Sequence, residues 1–235
     1  MTINIILFNS SLELTKNLGS KKLQHPVFVN DSKRRKNRKA GELLLDISIH
    51  YSGMSPDDRT NRGRPDIIHQ IMLQYHFSLF NSEAFRKNTS FNPLRLFIHT
   101  NQDLVFEVSP EWRVPVSYIR FRGLMEKLLL EGSIEQPPVK VRNLSIEQLL
   151  KDKIKPESII LWTEIGEKKF SNELENEKDY LSTDKETVWL IGGYQSGDTP
   201  KRIESLVDKK LQIANFSLPS WKVLGNLLAY LEQDL

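Results

Sequence analysis

The chain has 235 residues, of which 39% are hydrophobic and 27% are charged, with a formal net charge of +3 and no cysteine. This length and composition predict one folded domain, 1–235, with a sizeable core. The lack of cysteine excludes disulfides, thiolate metal sites and cysteine nucleophiles, and no apolar run approaches the roughly 18 residues of a membrane span, so we expect a soluble, cytoplasmic protein that does not bind a membrane. The first element, "INIILF" (3–8), predicts a strand rather than a signal peptide.

The N-terminal half contains several apolar segments separated by turn-forming residues. Two adjacent strands joined by the short turn "NQD" predict a hairpin. The predicted elements are a short strand or loop at 25–29, a helix in the early part of 40–54, a loop at 55–66, a helix at 67–80, the hairpin strands at 94–100 and 104–109, and an amphipathic helix at 117–132 that ends at Gly132.

The C-terminal half reads as strand–loop units followed by a closing helix, which is typical of an α/β fold. A polar stretch at 166–183 interrupts these units and has no role that its residues indicate. The predicted elements are a helix at 145–154 with a Ser N-cap, a strand at 158–164, a buried strand within 187–198 that ends in a glycine loop, a short strand within 206–216, and a helix at 218–233 with Pro219 near its start.

Basic residues are concentrated in two places. "KRRKNRK" (33–39) has six basic residues in seven, and "RVPVSYIRFR" (113–122) combines arginines with aromatic residues. Basic clusters beside aromatic rings suit phosphate contact and base stacking. The alternative for 33–39, a solvated loop with no ligand, remains open from composition alone.

Three glycines follow the buried strand of the C-terminal half. Gly192 and Gly193 come directly after the strand, and Gly197 follows at a short interval. Glycine allows positive φ and lets the backbone approach a ligand closely. The loop matches neither GxGxxG nor a phosphate loop, so a tight turn and a ligand loop both remain possible.

Histidines offer a weaker candidate site. His50, His69 and His99, with Asp66, would be the ligands of a metal hydrolase, but the sequence contains no HExxH motif and no regular ligand spacing. It also contains no nucleophile elbow. Histidines with structural roles are therefore favoured, and we expect no metal.

The stretch "NRGRPDIIHQIML" (61–73) combines an arginine, a proline and an aspartate at the start of a helix. Pro65 favours extended geometry at Arg64. Asp66 lies where a carboxylate can accept backbone N–H groups, or where it can hold the Arg64 guanidinium in a planar fork. The residues alone do not decide between a simple helix cap and a functional arginine.

Several blocks together resemble one family. "ELLLDISIHYSGM", "RGRPDIIHQIML", "LFIHTNQDLVFEVSPEWRVP", "RFRGLMEKLL", "LIGGYQSGD" and "IANFSLPSW" are similar in order and spacing to the ribosomal small-subunit RNA pseudouridine nitrogen-1 methyltransferases. These are archaeal-type ribosome-biogenesis proteins of the SPOUT class. The resemblance covers about residues 10 to 230.

The resemblance implies a fold and an assembly. The fold is α/β, a mainly parallel SPOUT-type sheet with helices on both faces, a β/α extension and a C-terminal trefoil knot, which is rare among proteins. The knotted, cofactor-binding part would be 155–235, and 30–65 would be a basic loop or extension. The family is homodimeric, which implies a homodimer here.

The resemblance also implies S-adenosylmethionine as the cofactor, bound by three loops. Apolar Ile213, Phe216 and Leu218 would suit an adenine slot. The implied cofactor-binding residues are Thr163 on the first loop, Gly192, Gly193 and Gly197 on the second, and Ile213, Ala214, Asn215, Phe216, Ser217 and Leu218 on the third.

For small-subunit ribosomal RNA, the resemblance implies contacts from Arg64, Arg113 and Arg120. Val116 stands where the family usually has another arginine, and Ser117 where it has threonine. Arg122 or the basic stretch 33–39 would replace the missing contact. Asp66 and Arg64 form the implied catalytic pair, with Asp66 as the brace of Arg64 rather than the proton acceptor, because a paired carboxylate is a poor base.

The implied activity is methyl transfer from S-adenosylmethionine to ring nitrogen 1 of a pseudouridine, with a role in small-subunit biogenesis. The reacting base must leave its stack, so a loop substrate is favoured over a duplex. The alternative is a non-catalytic RNA-binding assembly factor of the same fold, from which turnover has been lost. Cofactor binding discriminates between the two.

Overall fold

The computed structural model describes residues 2–35, 38–88, 94–136, 138–166, 168–169 and 186–232. Its main feature is an eight-stranded sheet with the strand order β6-β3-β2-β1-β9-β7-β10-β8. A separate two-stranded sheet is formed by β4 and β5. The strands are β1 (Thr2–Ser10), β2 (Arg95–Thr100), β3 (Leu104–Val108), β4 (Ser133–Ile134), β5 (Val139–Lys140), β6 (Arg142–Asn143), β7 (Ser158–Trp162), β8 (Lys168–Lys169), β9 (Glu186–Gly192) and β10 (Lys209–Gln212).

Most of the sheet is parallel, as the sequence predicts for an α/β chain. The strand β1 pairs in parallel with β2 on one side and β9 on the other, and β7 lies in parallel between β9 and β10. The hairpin β2–β3 and the pair β3–β6 are antiparallel and form one edge. The predicted hairpin is therefore confirmed, with Asp103 in its turn at φ 52°.

Helices cover both faces of the sheet. Ile5 and Leu7 of β1 face one apolar cluster, whereas Ile6 and Phe8 face the other. This alternation is the period of two that a strand buried on both faces presents. The α-helices are α1 (Pro26–Arg34), α2 (Ile47–His50), α3 (Pro56–Asn61), α4 (Pro65–His76), α5 (Glu83–Asn88), α6 (Tyr118–Glu131), α7 (Ile146–Gln148), α8 (Lys201–Glu204) and α9 (Ser220–Leu231).

The helices that were predicted from regularly spaced apolar residues are confirmed. Helix α4 begins at Pro65, α6 ends at Gly132 in the left-handed conformation, and α9 follows Pro219. The predicted helix at 145–154 begins at Ser145 as α7 and continues as π-helix over Leu149–Ile154. Within the described residues, no helix has both the length and the apolar character that crossing a membrane requires.

Three predictions for the N-terminal half are wrong. The predicted loop at 55–66 contains α3, which begins at Pro56 after the N-cap Ser55. The segment 25–29 is neither strand nor loop, because Pro26 begins α1 and the His25 ring accepts a hydrogen bond from the Val27 N–H. The early part of 40–54 is not helical; α2 covers only Ile47–His50 and a 3-10 turn follows at Tyr51–Gly53. Its three leucines, at 43–45, are all buried in an irregular segment instead. Most of the polar stretch 166–183 lies outside the described residues.

Candidate functional site

The carboxyl ends of the parallel strands bring the three predicted cofactor loops to one edge of the sheet. Thr163 follows β7, Gly193 follows β9, and Ile213 follows β10. Open α/β sheets bind ligands at this edge, because loops from neighbouring strands converge there. The fold therefore brings together residues that are about 50 positions apart in sequence.

The glycine loop after β9 is held tightly against the end of β1. The Gly193 N–H donates to the Phe8 carbonyl at 2.7 Å, and the Gly193 carbonyl accepts the Ser11 N–H at 3.0 Å. A Cβ at Gly193 would lie 2.7 Å from the Ser10 Cα and would also collide with the Ser10 hydroxyl. Gly193 is therefore required by close backbone approach, and a plain turn does not account for it.

The other two glycines of the loop differ in what requires them. Gly197 has φ +114°, a conformation that favours glycine. A Cβ at Gly192 would lie 2.9 Å from the Tyr194 ring, and the Ser220 hydroxyl at the start of α9 donates to the Gly192 carbonyl. The loop is thus fixed at its start by β1 and α9, whereas its tip at Gly197 is exposed.

The first and third loops are joined to each other. The Thr163 N–H donates to the Leu211 carbonyl at 2.9 Å. A Cβ at Gly166 would collide with the backbone of Leu211 and Gln212, so the chain after β7 presses directly on the end of β10. No local pattern singles out Gly166, because the end of the strand that it approaches, Leu211, lies 45 residues away.

The third loop offers both sheltered and exposed side chains. Ile213, Ala214 and Leu218 are half-buried, whereas the central residues of the loop face solvent. Phe216 is 62% exposed, so it does not line a closed slot with Ile213 and Leu218. The exposed residues are Asn215, Phe216 and Ser217.

Negative charge lies near the first and second loops. Burial raises the pKa of the Tyr194 hydroxyl, a hydrogen bond with Thr199 opposes this, and the negative charges of Asp198 and Glu164 raise it further. The two carboxylates therefore act on the same ring from different loops. A cationic ligand held between these loops would experience a favourable potential. Close backbone at Gly193, apolar Ile213 and Leu218, and nearby carboxylates together fit a ligand with an apolar ring and a positive charge.

Arg64 and Asp66 form the predicted planar fork. The Arg64 Nε donates to Asp66 Oδ1 and Nη2 donates to Oδ2, each at 2.8 Å. Arg64 occupies the N-cap position of α4 and Pro65 the first helical position. The hydrogen bond to Asp66 raises the pKa of Arg64, although burial opposes this. The guanidinium stays charged, and its Nη1 lies outside the fork.

Two predicted RNA arginines lie on an exposed loop and helix end near α4. Arg113 and Arg120 are both exposed, and between them Val116 is 68% exposed. Burial lowers the pKa of His76 at the end of α4, and the positive charge of Arg113 lowers it further. Arg113 therefore lies close to α4, the helix at whose start Arg64 stands.

His69 links this loop to α4. Its Nε2 lies 2.7 Å from the Pro115 carbonyl, and its ring stacks on Phe121 with a centroid distance of 4.4 Å. The ring is buried, so it cannot reach a substrate. The sequence favoured a structural role for His69. In the structure, His69 holds the loop that contains Arg113 and Pro115 against α4.

Arg122 does not fit the RNA-contact role predicted for it. It is only 5% exposed, and its guanidinium lies 3.3 Å from Asp31 and 3.6 Å from Asp46. Tyr118 donates to the same Asp46 at 2.7 Å. A charge this buried is held by its partners, so Arg122 fixes the start of α6 rather than replacing the arginine absent at Val116.

The basic stretch 33–39 is described except for residues 36 and 37, and its described residues are in part paired and in part exposed. Arg35 donates from Nη1 to both oxygens of the buried Glu126, at 2.8 and 2.7 Å, and Arg38 lies 3.9 Å from it. Lys33, Arg34 and Lys39 are exposed. Arg35 and Arg38 therefore anchor this part of the chain to α6. This role differs from both predictions for the stretch, a solvated loop and an RNA-binding patch.

The histidines of the metal hypothesis are not gathered in one place. His50 pairs with Asp31 at 3.2 Å, His99 pairs with Asp103 at 3.0 Å, and His69 binds the Pro115 carbonyl. Across the described residues, no group of three or more His, Asp or Glu is arranged to hold a metal ion. Each histidine has a protein partner that accounts for it.

One set of residues beside the loops is absent from the sequence predictions. Glu13 is fully buried and forms a fork with Arg62, with Nε–Oε1 and Nη2–Oε2 distances of 2.9 and 2.6 Å. Asn101 donates to the same Glu13 Oε1 at 3.0 Å. Glu13 comes just after β1, Asn101 just after β2 and Arg62 just after α3. The position of Glu13 and Asn101 after predicted strands was the only signal in the sequence.

Sequence and structure comparisons identify the relatives of this chain. Residues 5–232 match the family described as EMG1/NEP1 methyltransferase. The chain belongs to this family. A relative named ribosomal RNA small subunit methyltransferase Nep1, from Staphylothermus marinus, is 36% identical over 231 residues, covering 96% of this chain and 93% of the relative. The protein of that name from Saccharolobus solfataricus is 34% identical and covers 97% of this chain and 96% of the relative.

A solved structure of an EMG1/NEP1 family member has the same fold. The crystal structure of Archaeoglobus fulgidus Nep1 bound to S-adenosylhomocysteine superposes with a TM-score of 0.78 at 25% identity, covering 99% of this chain and 98% of that one. The mainly parallel sheet with helices on both faces is therefore the fold of this family.

Proposed function

We propose that the protein transfers a methyl group from S-adenosylmethionine to ring nitrogen 1 of a pseudouridine in small-subunit ribosomal RNA, as part of small-subunit biogenesis. The observation that carries this is the membership of nearly the whole chain, residues 5–232, in a methyltransferase family. The Archaeoglobus fulgidus relative is bound to S-adenosylhomocysteine, the demethylated form of this cofactor. The full-length relatives are named for methylation of small-subunit ribosomal RNA.

The cofactor would be held by the three loops at the carboxyl edge of the sheet. Backbone at Gly192, Gly193 and Gly197 would contact it from one side and Thr163 from another. The third loop, Ile213–Leu218, would enclose the adenine, with half-buried Ile213 and Leu218 against the ring. When bound, S-adenosylmethionine supplies an electrophilic methyl group on a sulfonium, and the carboxylates of Glu164 and Asp198 favour that positive charge.

The RNA would lie across the surface that carries Arg64, Arg113 and Arg120. All three have charged side chains that reach solvent, and guanidinium groups bind phosphate through parallel N–H donors. The Nη1 of Arg64 lies outside the fork with Asp66, so it can bind a phosphate while the fork fixes its direction. Orientation of the flipped base is then the main contribution of these residues to the rate.

The reaction breaks the bond between sulfur and methyl carbon, forms a bond between that carbon and N1, and releases the N1 proton. Uridine has no such N–H, because its N1 carries the sugar. Both Asp66 oxygens bind the Arg64 guanidinium, so Asp66 acts as a brace and the proton leaves to solvent. Asp66 accordingly contributes to orientation rather than to proton transfer.

Further features of the family are proposed with it. A trefoil knot within 155–235 is proposed because the chain belongs to this family. Large apolar side chains that are more than half exposed, Phe77 and Leu79 at the end of α4 among them, support a homodimer. Light scattering after size exclusion measures that assembly. The cytoplasm, where ribosomes are built in cells without a nucleus, is the proposed location.

The role of Asp66 is tested by Asp66→Asn, with RNA binding and single-turnover methylation measured separately. Loss of the charged fork releases Arg64, so we expect RNA affinity to fall about threefold to tenfold, with a smaller change in the methylation rate at saturating RNA. Glu111→Gln, on the exposed loop before Arg113, is the control. Unchanged RNA binding with abolished methylation would instead identify Asp66 as the proton acceptor.

A further inference from the structure

The exposed tip of the glycine loop contacts the segment that carries Arg64. The Ser196 hydroxyl donates to the Thr60 carbonyl at 3.4 Å. With its amide nitrogen facing the two neighbouring carbonyl groups, Asn61 donates to Ser196 O at 2.6 Å and to Thr60 O at 3.1 Å. The proposed cofactor loop and the end of α3 are therefore joined by hydrogen bonds in both directions.

The same Asn61 is also held by Ser11, the residue that follows β1. The Ser11 hydroxyl donates to the Asn61 carbonyl at 2.7 Å, and the Ser11 N–H donates to the Gly193 carbonyl at 3.0 Å. Ser11 thus binds the start of the glycine loop while it binds Asn61, whose side chain binds the tip of that loop. Movement of the loop is transmitted to Asn61 at two points.

The two residues between Asn61 and Arg64 are held in place by hydrogen bonds. Arg62 is held by its fork with buried Glu13 and by Asp58, whose Oδ1 accepts from Nη1 at 2.8 Å. Gly63 has φ +69°, and its carbonyl accepts the Ile47 N–H at 2.8 Å. Each residue between Asn61 and Arg64 is therefore constrained, so the position of Asn61 fixes where the Arg64 backbone begins.

We propose that Asn61 is a positioning residue through which the cofactor in the glycine loop strengthens RNA binding at Arg64. A ligand that orders Ser196 also orders Asn61 and the segment that leads to Arg64. RNA then binds a surface that is already ordered and loses less conformational entropy. Thermodynamic linkage requires the converse, that RNA strengthens cofactor binding by the same factor. The inference rests on the proposed function for the identity of the two ligands.

The test measures the dissociation constant of a fluorescein-labelled RNA stem–loop with pseudouridine in its loop, with and without saturating S-adenosylhomocysteine. In the unaltered protein we expect S-adenosylhomocysteine to lower the dissociation constant of the RNA about threefold to tenfold. This factor corresponds to the free energy of about one typical hydrogen bond. In Asn61→Ala we expect each ligand still to bind alone, but the RNA dissociation constants with and without S-adenosylhomocysteine to differ by less than about twofold. Asn143→Ala, on the exposed edge strand β6, is the matched control and keeps the full factor.

Steady-state kinetics separate positioning from a general structural effect. For Asn61→Ala we expect the KM for RNA to rise while kcat at saturating RNA and cofactor stays within about twofold. Ser196→Ala removes only the hydroxyl bond to Thr60 from an exposed residue, so it provides a second variant if Asn61→Ala does not fold. It is expected to reduce the coupling in part.

The outcomes distinguish this inference from the function on which it rests. Binding of both ligands with no coupling in the unaltered protein, or full coupling in Asn61→Ala, would overturn the role of Asn61 and leave the methyltransferase proposal intact. Failure of the unaltered protein to bind S-adenosylhomocysteine or the RNA at all would overturn both.

Discussion

Gly193 lies at the point where the end of β9 meets the end of β1. Its N–H and carbonyl are both hydrogen-bonded to the chain between Phe8 and Ser11, which leaves no room for a side chain. A Cβ at Gly193 would collide with the Ser10 Cα as well as with its hydroxyl. The Cα belongs to the backbone, which cannot move aside as the end of a flexible side chain can. A single methyl group at this position therefore affects both the fold and the proposed cofactor loop.

We expect Gly193→Ala to lower the free energy of unfolding by about 1–3 kcal/mol, because the added methyl overpacks the junction. It should also weaken binding of S-adenosylhomocysteine, measured by titration calorimetry. Gly123→Ala in α6 is the control, since a Cβ there meets nothing within 4 Å. That change is expected to be neutral or to stabilise by up to about 1 kcal/mol. A Gly193→Ala protein with normal stability and affinity would contradict the account.

At the residue scale, local sequence predicted the Arg64–Asp66 fork because its partners are two positions apart and a proline fixes the chain between them. It could not predict the role of Arg122. The partners of that arginine, Asp31 and Asp46, lie on separate segments more than 70 residues earlier, and only the packed structure brings them together. An arginine beside an RNA-binding loop therefore looks the same in sequence whether it is exposed or buried.

At the scale of elements, Glu126 holds the basic stretch of the N-terminal half against α6. The side chain is buried and binds the Arg35 guanidinium, and its Oε1 accepts the Leu44 N–H at 3.0 Å. One carboxylate therefore fixes both ends of the segment between α1 and the buried leucines. Without this long-range contact, nothing local explains why 40–45 is irregular rather than helical.

For Glu126→Gln we expect a loss of about 3 kcal/mol in the free energy of unfolding by urea, because it leaves the Arg35 charge poorly paired beside the core. Glu131→Gln, on the same helix, is the control. Its side chain is 55% exposed and lies 3.8 Å from Lys127, and exposed pairs contribute about 0–1 kcal/mol. Equal effects of the two substitutions would show that Glu126 is not an anchor.

The elements that sequence predicted best are those with strong local signals. Helix α6 has a regular apolar face and Gly132 after its last residue, and the β2–β3 hairpin has a short polar turn. Helix α1 was missed because its first turn, "PVFV", has the β-branched and aromatic residues typical of strands. The Pro26 and His25 cap, rather than propensity, decides that this segment is helical.

At the scale of the whole molecule, the α/β class followed from the order of apolar strands and helices, but the strand order did not. Placing β7 between β9 and β10 depends on pairings between residues 29 and 49 positions apart, which no local pattern encodes. The convergence of the three loops is a consequence of that order. The residues alone singled out only the glycines after β9, and the residues of the other two loops followed from the resemblance to a family.

Acid should destabilise the whole fold through its buried histidines. Burial lowers the pKa of His50 and of His99 from the usual 6.5, although Asp31 and Asp103 oppose the change. The unfolded chain therefore binds protons more readily than the folded protein. The stability that comes from the neutral histidines is complete above about pH 6.5 and is lost as the pH falls below this value.

We therefore expect the free energy of unfolding by urea to fall between about pH 7 and about pH 5, and to fall less steeply in His50→Gln. Asn143→Ala, which alters an exposed residue of β6 with no ionisable group, is the control and should keep the slope of the unaltered protein. A stability that is constant or rises over this range would contradict the burial of these rings as neutral groups.

The most direct test of the central proposal is mass spectrometry of small-subunit ribosomal RNA after incubation with the protein and isotopically labelled S-adenosylmethionine. Two RNAs are compared, one with pseudouridine and one with uridine at the methylated position. We predict one labelled methyl group on ring nitrogen 1 of a pseudouridine and none on the corresponding uridine, which has no N1 proton to lose. Absence of methyl transfer by folded protein that binds the cofactor, or equal methylation of the two RNAs, would contradict it.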